Sequence, residues 1–497
     1  MLDYLLVPVI VLYFLVVGLL FAYGLNFFYL TFLTLKHSTF KPEPPPMERW
    51  PSVTVQLPIY NEMYVAERLI DAAAALDYPP DLLEIQVLDD STDETVELVG
   101  RTVSRLQARG VRIHHLHRQD RRGFKAGALA DGLKSASGEL VAIFDADFIP
   151  PSDFLKRAVP HLQNPRIAFV QTCWGHVNRS YSLLSFLQSL AIDAHFNVEQ
   201  FGRFIGNFWF NFNGTAGVWR RAAIEDAGGW QADTLTEDLD LSYRAHLRGW
   251  QAVYLRDVVV PAELPVSFNA YRRQQQRWSR GSFECAAKLI PQIWKAPISR
   301  AMKVQASLHL TGYAVHLLMF ALTFLYPIML ILSPRYEGLM GFFGLAAVLN
   351  LTTFAPTVLF FVAQRQLGRS GWRQLPAILF LSVLGSGMMV NTLRAASYAF
   401  ARRREAFERT PKYGIERKQQ DWMRRRYQLR LDPIVFAELA FAVWNAETAW
   451  LSIRLSNWII AFYAALFCVG LLFVAGLSVV QTFAVLRTRQ EIAKVEG

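Results

Sequence analysis

Charge is what long stretches of this 497-residue sequence lack. No Asp, Glu, Lys or Arg occurs in residues 4–35, 304–334, 338–364, 374–393 or 455–486, and residues 433–453 carry only Glu438 and Glu447. Charged residues make up 19% of the chain and hydrophobic ones 53%, against about 25% charged in ordinary globular domains. A wholly soluble or disordered protein is thereby excluded. Cysteine is scarce as well: Cys173, Cys285 and Cys468 are odd in number and have no paired spacing, so neither a disulfide framework nor a cysteine-based zinc site is expected. With Gly 29 and Pro 23, collagen-like and low-complexity classes fall away too.

What is there is apolar runs long enough to cross a bilayer, which takes about 20 residues as a helix. The first run, followed by Lys36, Lys41 and Arg49, predicts an uncleaved anchor (1–36) that leaves the next segment in the cytoplasm. Residues 304–364 predict two further spans and 433–486 a transmembrane hairpin before a short cytoplasmic tail, 487–497. A crossing at 374–393 would put the arginine-rich stretch after it outside the cell, against the positive-inside rule. That run, with Gly385, Gly387 and Asn391, therefore reads as an interfacial or re-entrant helix, giving five spans in a plasma-membrane protein. The formal charge of +10 does not argue for nucleic acid. Residues 401–430 hold eleven Arg and Lys against four Glu and Asp, so the excess lies beside the membrane, where it marks topology and meets anionic lipid headgroups.

Residues 50–303 form the soluble part. Strand-like runs at 53–57, 84–88, 111–115, 140–144 and 167–171 alternate with helical periodicity at 65–76, 92–107, 124–135 and 151–162. This predicts an open, mostly parallel α/β sheet that binds its ligand beyond the carboxyl ends of the strands. Acidic clusters fall at those ends. Asp89-Asp90-Ser91-Thr92-Asp93 follows the second strand; Ser91 and Asp93 also suit helix capping. Asp145-Ala146-Asp147 follows the fourth, where two carboxylates so close repel unless a cation lies between them, and a hard divalent ion fits. Thr236-Glu237-Asp238 precedes a helical segment and is open to a capping reading as well. Gln274-Gln275-Gln276-Arg277-Trp278 offers amides, an indole and a guanidinium, groups that hold sugars and diphosphates or else anchor a membrane interface.

Pro58-x-Tyr60-Asn61-Glu62, Asp89-Asp90, Asp145-x-Asp147, Thr236-Glu237-Asp238 and Gln274-Gln275-x-Arg277-Trp278 resemble, in order and rough spacing, the processive family 2 glycosyltransferases, among them cellulose, mannan and hyaluronan synthases. His195-Phe196-Asn197-Val198-Glu199-Gln200 and Phe212-Asn213-Gly214-Thr215-Ala216-Gly217-Val218-Trp219-Arg220 are similar to the cellulose synthase-like group. The resemblance implies a nucleotide-sugar-binding Rossmann-like domain of the GT-A type on a helical membrane bundle. It implies an inverting hexosyl transfer from UDP-glucose or GDP-mannose to a β-linked glycan.

By the same resemblance Tyr60, Glu62, Asp89, Asp90, Lys125, Asp145 and Arg277 would bind the nucleotide sugar, and Asp145 and Asp147 would hold Mg2+ or Mn2+. Asp238, with Glu237 beside it, would be the catalytic base, and Gln274, Gln275 and Trp278 would hold the acceptor. Lys125 has a plainer reading as a solvated charge. Phe407, Thr410 and Lys412 look like a gating loop, with Arg409 where such loops carry valine; an ordinary basic juxtamembrane loop is the alternative. Two other functions compete with the polysaccharide synthase. One is a non-processive enzyme that glucosylates a membrane lipid, and the other a transporter whose α/β domain only binds nucleotide.

Overall fold

The structure is a computed structural model describing residues 2–332, 348–401, 409–428 and 430–496. Its soluble domain is built on a seven-stranded sheet: β1 (Val53–Ile59), β2 (Leu83–Asp89), β3 (Ile113–His117), β4 (Leu140–Ile143), β5 (Ile167–His176), β6 (Gly217–Arg220) and β7 (Gln251–Ala262), in the order β3-β2-β1-β4-β6-β5-β7. β1, β2, β3 and β4 run parallel, β5 and β7 run parallel, and β6 is antiparallel to both of its neighbours. The expected alternation of strands and helices is present. The last two strands were not legible, because β6 is four residues long and β7 mixes Arg256 and Asp257 into its run.

β1 and β2 are buried on both faces, as parallel strands covered by helices must be. One face packs Leu69, Val99 and Phe154 and the other Leu129, Phe196 and Leu241. The chain leaves β1 for β2 on one side and reaches β4 on the other. At that switch a crevice lies at the carboxyl edge of the strands.

Four described helices are long and apolar enough to cross a membrane: Val7–Lys36, Ala314–Leu332, Ile434–Arg454 and Trp458–Glu491. Gly371–Gly387 and Met389–Phe400 form a further apolar pair bent by 43° at Met388. The amphipathic helix Phe268–Lys295 joins this bundle to the sheet. Its Arg272 is fully buried and bonds both oxygens of Glu438 at 2.6 and 2.9 Å, and the Ser478 hydroxyl at 2.9 Å. Phe407 lies outside the described residues.

Candidate active site

Each strand end at the crevice is fixed by local chemistry. After β1, Asn61 takes a left-handed φ of 53°, held by its N–H donating to Ser91 Oγ at 2.8 Å while Thr92 N–H donates to its side chain at 2.8 Å. Ser91 thus joins two strand ends and does not cap a helix. Asp93 accepts the Thr95 N–H at 3.0 Å, as a capping group does. Of the Asp89-Asp90 pair, Asp90 lines the cleft with both oxygens on Arg118 at 2.7 Å. Asp89 points away, its oxygens taken by His115 and by the Ser91 N–H, so the pair is not interchangeable.

The cleft collects Tyr60, Glu62, Asp90, Arg121, Lys125, Asp145, Asp147, Gly214, Glu237, Asp238, Gln274, Arg277 and Trp278 from seven separate segments. Gly123 (φ 74°) starts the helix Phe124–Ser135, and a Cβ on Gly127 would sit 2.1 Å from Arg122 O, which is why the Lys125 motif needs both glycines. Lys125 is no solvated charge: its ammonium donates to Asp145 Oδ1 at 2.5 Å and to Gly214 O at 2.9 Å and lies 3.8 Å from Glu237. Gly214 (φ 79°) has room for nothing larger, since a Cβ there would be 3.0 Å from Asp238 Oδ2. Burial, reinforced by the neighbouring Glu237 carboxylate, pushes the Asp238 carboxyl above its ordinary range.

Thr236 makes no side-chain capping bond; its Oγ1 meets Cys285 Sγ at 3.4 Å instead. The turn is seated on the helix Phe268–Lys295 at Gly281, whose absent Cβ would fall 2.5 Å from the Thr236 side chain. The next-but-two residue on that helix, Trp278, faces the cleft with Arg277 and Gln274, not a membrane interface. Gln275 is turned aside and accepts from the Tyr313 hydroxyl at 3.4 Å.

Asp145 and Asp147 fit a hard divalent cation. Both face the cleft, and each already meets a positive charge, Lys125 for Asp145 and Lys412 for Asp147 at 2.8 Å. Lys412 also donates to Glu263 O at 2.7 Å, and Glu263 accepts the Tyr413 N–H at 2.9 Å. The segment after the membrane pair is thereby pinned over the strand ends, with Thr410 and Arg409 on the cleft wall.

These motifs have counterparts elsewhere. Residues 51–281 match the model of "Glycosyltransferase like family 2". This segment is a family 2 glycosyltransferase domain. It is 49% identical over 249 residues to a probable glucomannan 4-beta-mannosyltransferase 11 of Oryza sativa subsp. japonica, covering 49% of this chain and 44% of that protein. Against glucomannan 4-beta-mannosyltransferase 2 of Arabidopsis thaliana it is 48% identical over 249 residues, 49% of this chain and 47% of the relative. The chain spans somewhat under half the length of these curated relatives. In fold it is similar to a mannosyltransferase from Pyrobaculum calidifontis, solved with GDP-Man and Mn2+, with a TM-score of 0.52 at 23% identity over 80% of this chain and all of that one.

Three groups of the cleft were given no cleft role in the sequence reading, although Arg409 was noted there as a departure in the gating loop. The Arg121 guanidinium stacks 3.4 Å from the Tyr60 ring centroid, His176 reaches the cleft from the end of β5, and Arg409 lies 3.8 Å from Glu62. Burial first, and then the nearby Asp147 and Asp145 charges, push the Glu62 carboxyl up to about 7 despite Arg409. The cluster Arg121-Arg122 before Gly123 was the only signal for the first of these.

Proposed function

We propose that this chain is an inverting hexosyltransferase, a mannosyltransferase by preference, that extends a β-linked polysaccharide from a nucleotide sugar. The observation that carries the reading is the convergence of Asp238, Lys125 and Asp145 at Gly214, with Trp278 and Arg277 on the facing helix. A carboxylate lifted toward neutrality is matched to taking a proton at working pH. Asp238 takes the acceptor hydroxyl's proton as that oxygen bonds to the sugar's C1, and the C1–O bond to the diphosphate breaks on the opposite face. Asp145 and Asp147 would hold Mg2+ or Mn2+, which when bound would supply charge neutralisation for a diphosphate leaving group. Lys125, Arg277 and Lys412 supply fixed positive charge around the same group. Tyr60, Arg121 and Asp90 bind the nucleotide, and Trp278 with Gln274 stacks and orients the acceptor sugar; Gln275 contributes through Tyr313 rather than by contact. Names of relatives that share half of this chain at nearly 50% identity support mannose as the transferred sugar.

The bundle is placed in the plasma membrane with the cleft cytoplasmic and the glycan leaving between the helices. Both flanks of the bent pair touch the soluble domain, Arg369 on Asp193 at 2.6 Å before it and Lys412 on Asp147 after it. These contacts support a pair that enters and returns from one side without crossing. Incubating membranes that hold the protein with labelled GDP-mannose or UDP-glucose, and sizing the product, tests the reading. Labelled polymer from GDP-mannose is expected; label appearing only in a lipid extract would replace the polysaccharide with a glycolipid.

A further inference from the structure

Three of the chain's ten histidines stand within four positions, His114-His115-Leu116-His117, on β3, the edge strand of the sheet. Alternation along a strand puts His115 and His117 on one face and His114 on the other. His114 faces Glu84 at 3.9 Å. His115 and His117 instead flank Asp89, which is paired with His117 in the β2–β3 register. Asp89 Oδ2 is 2.8 Å from His115 Nε2 and 3.7 Å from His117 Nδ1, and the three ligand atoms all lie within 4.8 Å of one another. The other oxygen, Oδ1, is fixed by the Ser91 N–H at 2.9 Å, so the carboxylate cannot swing away.

We propose that Asp89, His115 and His117 form a site for a borderline divalent cation of the Zn2+ class, separate from the Asp145/Asp147 pair. Metal bonds of about 2.0–2.1 Å in a tetrahedron set ligand atoms roughly 3.3 Å apart, a value that the observed separations bracket. Rotation of two imidazoles closes the difference without moving either strand. Two imidazole nitrogens and one carboxylate select Zn2+ over Mg2+, whereas the all-oxygen pair in the cleft suits the harder ion. Binding displaces the proton His115 Nε2 presents to the Asp89 carboxylate and the one His117 Nδ1 donates to the Asp89 carbonyl at 3.1 Å, each imidazole keeping a proton on its other nitrogen, so that two neutral imidazoles and one carboxylate are the ligands. Ser91 orients the carboxylate from behind, and His117, about a third exposed, leaves the fourth position to water. The nearby Arg118 does not oppose the charge, because Asp90 and Asp131 neutralise it. Asp89 is not part of the cleft wall, so the cation clips the edge strand to β2 one residue behind Asp90 and leaves the nucleotide's place open.

The test is calorimetric titration of Zn2+ into the full-length protein in detergent, with the visible absorption of Co2+ as a reporter of coordination. Asp147→Asn is used throughout to silence the cleft pair. One equivalent of Zn2+ is expected in that background and with His114→Ala added, and Co2+ should show four-coordinate bands. His115→Ala or His117→Ala should weaken binding at least about 100-fold, beyond the roughly 10–100-fold cost of losing a supporting residue. Undiminished binding after either change, equal loss with His114→Ala, or six-coordinate Co2+ would overturn the site. Should His115→Ala fail to fold, His117→Gln at the more exposed ligand decides the question.

Discussion

Among single residues, Asp238, as the proposed base, is expected to set the pH response. A base works only when deprotonated, and raising its pKa moves the acid limb of the rate profile up from the ordinary value of about 3.9 toward neutrality. Activity is therefore expected to fall as pH drops through that raised value. Glu237→Gln removes the like charge while leaving burial, so the limb in kcat/KM should shift to lower pH without disappearing. Asp238→Asn keeps shape and loses the proton site; a rate loss of at least about a hundredfold is expected with nucleotide-sugar binding intact, as measured by calorimetry. Normal turnover in that variant would leave Asp238 a structural residue. Asp147→Asn should abolish transfer, with a lower melting temperature because Lys412 loses its buried carboxylate partner, and chelation should abolish transfer by the native protein until Mn2+ or Mg2+ is restored.

At the scale of elements, the helix Phe268–Lys295 couples the cleft to the bundle. It carries Gln274, Arg277 and Trp278, seats the Thr236 turn at Gly281 and buries Arg272 against Glu438. Removing one partner of a buried ion pair leaves an uncompensated charge and costs about 3–5 kcal/mol, whereas exchanging both for apolar residues of similar volume is often neutral. Glu438→Ala should accordingly lower the yield of folded protein and its thermal stability sharply. Arg272→Met with Glu438→Leu should restore much of both, and no recovery in the double variant would show that the pair has a role beyond charge compensation. The segment 409–428 is a second element with a distinct response. Thr410→Ala and Lys412→Ala are expected to lower turnover with the fold intact, and nucleotide with metal should slow hydrogen exchange there. Protection by anionic lipid alone would mark it as a membrane-surface loop.

For the whole molecule, topology is the decisive matter. If the bent pair Gly371–Gly387 and Met389–Phe400 returns to the side it left, single cysteines at Arg369 and Lys418 should be labelled from the same side of the membrane as the soluble domain. Labelling of the two from opposite sides would make the pair a span. It would also detach Lys412 from Asp147, since one residue cannot reach across a bilayer.

Sequence by itself determined the division into apolar helices and an α/β domain, and where along the chain the acidic motifs lie. Charge-free runs exclude an aqueous surface, strand periodicity sets the sheet's first five strands, and carboxylates at strand ends point to the crevice, because these properties are local and each is carried by a few neighbouring residues. Asp145 and Asp147 were legible for this reason, Lys125, Asp238 and Trp278 through the family resemblance, and all five meet in one cleft. Tertiary structure alone decided which members of each motif face inward. Asp90 turns to the cleft and Asp89 to the histidines, Gln274 to the cleft and Gln275 to Tyr313, and Thr236 to Cys285 instead of its own helix. Adjacent residues on a strand end or helix differ in direction by half a turn or by about 100°, and which direction is inward depends on neighbours far along the chain. The same holds for Arg121 on Tyr60 and for Lys412 on Asp147, contacts across 61 and 265 positions, where no spacing in the sequence records that the two ends meet.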